Sequence, residues 1–99
     1  MYMRVTTFKV APERIPELAA KVHDMKRIAK VIPGLLQSHV AWREDGQGTV
    51  VGIYESREKA QKAMGRIQAM WGVMASLVVA APNVDAYDVV ERVAPPAAG

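Results

Sequence analysis

Few side chains in this 99-residue chain could move a proton or hold a reacting oxygen. His39 is one of two histidines, and an imidazole titrating near neutrality can take a proton from a phenol or a lactone. Tyr54 can donate a hydrogen bond to a carbonyl or quinone oxygen. Trp71 falls in an apolar helical stripe and suits a core or a pocket wall. There is no acid pair at a working spacing, no phosphate-cradling glycine loop and no serine-triad context; Gly46-Gln47-Gly48 signals a hairpin only. His23, Arg27 and Lys30 share one helical flank as a basic ridge, the usual mark of a solvated face.

Composition removes further options. The absence of cysteine excludes disulfides, thiolate metal centres, iron–sulfur clusters and a cysteine nucleophile, and two histidines leave little for a metal site. No metal and no cofactor is expected. Thirteen Lys plus Arg against ten Asp plus Glu give a net charge of +3, mild beside the basic stripe of a dedicated nucleic-acid binder, so no nucleic-acid partner is expected. The longest apolar stretch, Val73 to Ala81, is about half the roughly 20 residues of a membrane-spanning helix. The first residues lack a charged segment followed by an apolar one, so neither signal peptide nor membrane partner is expected and the location is taken as cytoplasmic.

The elements that must position these residues follow from hydrophobic period and turn chemistry. Residues 2–10, rich in β-branched and aromatic types, predict a strand closed by Ala11-Pro12. Ile15, Leu18, Val22, Met25, Ala29 and Ile32 form one helical stripe that Pro33-Gly34 ends. Pro12 and Pro16 compete for that helix's first turn. Residues 35–43 and 49–55 flank Glu44-Asp45-Gly46-Gln47-Gly48 as an antiparallel hairpin. Ser56 caps a second helix, with a stripe of Ala60, Met64, Ile67, Trp71, Met74 and Val78. Gly65 and Gly72, one heptad apart within it, suggest a close backbone approach. Pro82-Asn83 breaks the chain, residues 84–93 predict a last strand, and 94–99 a disordered tail after a single domain spanning 1–93.

This β-α-β-β-α-β order predicts a ferredoxin-like α+β fold, a four-stranded antiparallel sheet with both helices on one face and the first and third strands central. Giving the helix side the more apolar alternate residues assigns it Met3, Val5, Leu36, Val40, Trp42, Val51 and Ile53. On the last strand Val84, Ala86, Asp88 and Val90 look more core-like than their neighbours. The second face then carries Arg4, Thr6, Phe8, Gln37, His39, Ala41, Gly52 and Tyr54, a mixture of apolar walls and few polar groups that suits a small molecule. A chain of this length buries only about 60–65% of its unfolded surface, and two helices cover one sheet face, so a second copy is the expected partner.

Thr7-Phe8-Lys9-Val10 before a proline-containing helix start, Pro33-Gly34 before the second strand, and Val51-Gly52-Ile53-Tyr54-Glu55-Ser56-Arg57-Glu58-Lys59-Ala60 at the strand-to-helix junction resemble the dimeric α+β barrel superfamily. Within it the match is to antibiotic-biosynthesis-monooxygenase-like domains, with Tyr54 at a position that is Trp in the family. The resemblance covers about residues 1–93. It implies a homodimer with its sheets face to face and a pocket between sheet and helices for an apolar or aromatic small molecule, with Arg4, Thr6, Phe8, Tyr54 and Trp71 as ligand contacts. Catalysis would be oxygenation of an electron-rich substrate without metal or flavin: Tyr54 and Arg4 stabilise a developing enolate and His39 assists deprotonation. The alternative is a non-catalytic ligand-binding or accessory dimer. Haem-degrading relatives use an Asn on the first strand and a His after the helical Trp, where this chain has Thr6 and Thr7 and no His beyond Trp71. An RNA-recognition domain would need aromatics on both central strands, and a copper carrier a cysteine pair.

Overall fold

Two prolines that compete for one helix start each receive a turn of their own. In a computed structural model, which describes residues 1–94, Pro12 opens a 3₁₀ turn over Pro12–Arg14 and Pro16 lies in the first turn of the helix that follows. Proline is tolerated at both places because those amides need no intrahelical acceptor. The elements are β1 (Tyr2–Lys9), α1 (Ile15–Ala29), β2 (Leu35–Trp42), β3 (Gln47–Tyr54), α2 (Arg57–Lys62), α3 (Met64–Met74) and β4 (Asn83–Tyr87). The strands form one antiparallel sheet in the order β2-β3-β1-β4, the expected ferredoxin-like α+β arrangement with β1 and β3 central.

The β2–β3 hairpin turns on Gly46, whose φ of 89° favours glycine. Its amide donates to the Arg43 carbonyl at 2.9 Å, and the Arg43 amide donates to the Gln47 carbonyl at 2.8 Å. The Gly46 carbonyl in turn accepts from the Val10 amide at 3.0 Å, and a Cβ at Gly46 would stand 2.0 Å from the Val10 carbonyl oxygen. Val10 is fully buried and bridges Val78, while the Val79 amide donates to the Lys9 carbonyl at 2.9 Å. The end of β1 is thus gripped from two sides.

Helix α1 buries Leu18 and Met25, with Ile32 just beyond it, along the expected stripe. The second helix departs from expectation in two respects. It is broken at Ala63 (φ −85°, ψ 0°) into α2 and α3, and its buried line is Ala60, Ala63, Ile67, Met70, Met74 and Leu77, alternating steps of three and four. Ala60, Ile67 and Met74 lie where the sequence puts them, whereas Met64, Trp71 and Val78 are only half-buried at its edge. Ser56 caps α2, its hydroxyl accepting from the Lys59 amide at 3.1 Å. No backbone approaches Gly65 or Gly72, since a Cβ on either would meet nothing within 4 Å, so the expected close approach there is absent. Glycine in a helix interior costs up to about 1 kcal/mol relative to alanine.

The assignment of faces on β1 and β3 is the reverse of that expected. Phe8, Val50 and Tyr54 belong to the core with Leu18, Met25 and Ile67, and register puts Tyr2, Arg4 and Thr6 on the same side. Met3, Val5, Val51 and Ile53 form the open face, half-buried. The cause is a pairing of aromatics with glycines. The Phe8 ring lies over its cross-strand partner Gly48, where a Cβ would stand 2.3 Å from Cζ. Tyr54 folds over Gly52, its Cε2 3.1 Å from where a Cβ would be. Each buried aromatic removes about 150–250 Å² from water, more than the aliphatics opposite could. On β2 Val40 and Trp42 take the expected side, pairing with Val50 and Gly48, but Trp42 stays exposed outside the core; a bulge between Leu35 and Gln37 leaves Leu36 exposed as well.

Strand β4 is shorter than the expected 84–93 and ends at Tyr87, which pairs with Met3. All five residues of β4 are exposed, as α3 does not reach over this edge. The expected tail at 94–99 falls, apart from Ala94, outside the described residues.

Candidate functional site

Because the helices stop short of β4, a cleft of about 430 Å³ remains between α3 and the β1–β4 edge of the sheet, within the range of small-molecule sites. Its floor is Arg4, Thr6 and Val84, the last facing Thr6 across the β1–β4 ladder. Its helical wall is Met64, Gln68 and Gly72 along one ridge and Ile67, Trp71 and Ala75 along the next, with Val78 and Pro82 at the end. Three of the residues anticipated from the sequence, Arg4, Thr6 and Trp71, thus converge on it. Gln68, Gly72, Ala75, Pro82 and Val84 carry no chemical signature that marks them, and Gly72 lines the cleft instead of meeting another backbone.

Phe8 and Tyr54 stand behind the cleft. The Phe8 and Trp71 rings meet edge to face, 6.0 Å between centroids and 69° between planes, which fixes Trp71 against the sheet. Tyr54 supports the floor. Its hydroxyl lies 3.2 Å from where a Cβ at Gly52 would stand, and Gly52 is the cross-strand partner of Arg4. Burial pushes the Tyr54 phenol above its usual range, the positive charge of Arg4 pulls against this, and Tyr2 adds a small push upward.

Arg4 is half-buried, and its Nη1 donates to Met64 Sδ at 3.1 Å. Among the described residues it forms no ion pair. A thioether sulfur is a weak acceptor for a group with five donors. The guanidinium is therefore held in place by packing and left with capacity for an oxygen acceptor.

His39 is not part of this constellation. It pairs with Val51 on β2, which puts it on the open face, exposed, with the sheet between it and both Arg4 and Tyr54. The expectation that His39 and Tyr54 share a face is corrected by the reversal of β3, for the glycine–aromatic reason given above. Among the described residues no group of three or more His, Asp or Glu side chains could hold a metal ion, and no helix is long and apolar enough to cross a membrane.

No protein-family model matches the chain, and no curated protein matches it. Solved structures do. One, provisionally named an antibiotic biosynthesis monooxygenase, from Caulobacter crescentus, has a TM-score of 0.77 and 25% identity over 91% of this chain and 90% of that one. A protein of unknown function from Nitrosomonas europaea has a TM-score of 0.78 at 13% identity, covering 97% and 95% of the two chains. A Mycobacterium tuberculosis protein, Rv0793, has a TM-score of 0.74 at 14% identity, covering 94% and 98%. The chain therefore has the fold of the dimeric α+β barrel superfamily and is similar to its antibiotic-biosynthesis-monooxygenase-like members.

Proposed function

We propose that the chain works as a homodimer joined through the open sheet face, each copy binding an apolar or aromatic small molecule with one anionic or carbonyl oxygen in the cleft between sheet and α3. The observation that carries this reading is Arg4, a half-buried guanidinium on the floor of a mainly apolar cleft whose hydrogen-bond partner is a thioether. An anionic oxygen in place of that sulfur gains a charge-assisted hydrogen bond, worth about 1.5–3 kcal/mol. Trp71 offers the ring of the ligand an aromatic wall, and Thr6 and Gln68 supply orienting polar groups. The dimer rests on the apolar open face, where Met3, Val5, Val51 and Ile53 remain partly in water in a single copy.

The names of several similar structures favour monooxygenation: a phenolic substrate gives its proton to water, takes one atom of O2 into its ring and is oxidised to a quinone while the other atom leaves as water, with Arg4, backed by Tyr54, stabilising the phenolate oxygen. A second reading, a non-catalytic ligand-binding dimer, is favoured by one observation: no carboxylate or imidazole lines the cleft among the described residues. In either reading His39 is an interface residue.

The test is calorimetric titration with 2-naphthoate, followed by a crystal structure of the complex. Arg4→Met should weaken binding roughly 10- to 100-fold. Equal binding by the variant, or naphthoate lodged outside the cleft, removes the assignment. Oxygen uptake with naphthols and hydroquinones then separates the two readings.

A further inference from the structure

We infer that Gly72 sets the size of ring system that the cleft admits; this rests on the binding reading above. Four of the other glycines have visible reasons. Gly34 and Gly46 adopt positive φ, and Gly48 and Gly52 yield their side-chain space to Phe8 and Tyr54. Gly72 has neither reason. Its φ is not positive, and a Cβ there would meet nothing within 4 Å. An alanine would fit the fold and favour the helix, so nothing in the packing of this protomer calls for glycine.

What the missing side chain does provide is room. Gly72 follows Gln68 by one turn and precedes Ala75 by one, all three lining the cleft beside Trp71. Gly72 lines the cleft with open space where a Cβ would stand, so a side chain there would take up room at the cleft wall, where a ligand's second or third fused ring would lie. Gly65 is the internal control. It sits in the same helix with the same open surroundings but does not line the cleft.

The experiment is a titration of benzoate, 2-naphthoate and anthracene-2-carboxylate, which share the carboxylate for Arg4 and differ in ring number, into wild type, Gly72→Val, Gly72→Ala and Gly65→Ala, each also melted thermally. Gly72→Val should weaken anthracene-2-carboxylate roughly tenfold or more, and leave benzoate within about twofold. Gly72→Ala should raise the melting temperature by several degrees yet weaken the largest probe, and Gly65→Ala should bind all three as wild type does. A folded Gly72→Val with the wild-type order of affinities overturns the inference and leaves the binding reading intact. Should that variant not fold, unchanged anthracene-2-carboxylate affinity in Gly72→Ala does the same. Failure of the wild type to bind any of the three overturns the binding reading, and the inference with it.

Discussion

On the helix side of the sheet Phe8, Val50 and Tyr54 are at most 5% exposed, whereas Met3, Val5, Val51 and Ile53 on the opposite face of the same strands stay partly in water. The open set is the more uniformly aliphatic of the two, yet the covered set is the core. The difference lies in shape. A glycine beside an aromatic makes a socket, and Phe8 over Gly48 and Tyr54 over Gly52 each let a ring come close against the sheet where helices can close over it. Aliphatics at matched positions leave a flat apolar surface, which suits a second sheet better than a helix.

The most damaging way to break this contrast is Phe8→Ala, which empties the socket and removes the support of Trp71. It should cost about 3–5 kcal/mol in denaturant unfolding, a large share of a small domain's stability. Filling the socket instead, with Gly48→Ala, should cost about 1–3 kcal/mol, since the new methyl group would overlap the Phe8 ring and stand 2.9 Å from the Ala41 carbonyl oxygen; an unchanged unfolding midpoint would mean that the glycine–aromatic pair does not decide the face.

A smaller, pH-dependent difference sharpens the comparison at Tyr54. Burial raises its pKa in the folded chain, against an unfolded value near 10.0. The stabilisation is therefore complete below that value and is lost as pH rises through the folded pKa, because the unfolded chain ionises first. Melts between about pH 9 and 11 should show wild type losing stability faster than Tyr54→Phe, which has no proton to lose. Parallel curves would contradict the burial of the phenol. Within one protomer the smallest effect belongs to Val51→Lys on the open face, where the long side chain can reach solvent. Amide exchange in the core should stay near wild type, while sedimentation should report half the wild-type mass if that face joins two copies.

The element order, the capping by Ser56, the hairpin at Gly46 and the stripe of α1 are legible because each rests on local chemistry. The faces of β1 and β3 are not, because alternation says which residues share a side and leaves open which side the helices take. Counting apolar residues favours Met3, Val5, Val51 and Ile53; the pairing of Phe8 with Gly48, which decides the matter, becomes visible only once the register is known. The site was legible in the same degree. Arg4, Thr6 and Trp71 stand out by type, while Gly72, Ala75 and Val84 line the cleft without any reactive group to mark them. His39, the most reactive side chain by type, keeps its expected face, and the reversal of β1 and β3 carries Arg4 and Tyr54 to the other side of the sheet.

The tip of a hairpin is ordinarily where a chain forgives an inserted loop, a cleavage site or a new terminus. In this molecule the carbonyl of Gly46 is spent on Val10, whose own carbonyl leaves no room for a side chain at the tip. Anyone grafting a peptide or relocating the termini there would be unfastening the far end of a central strand.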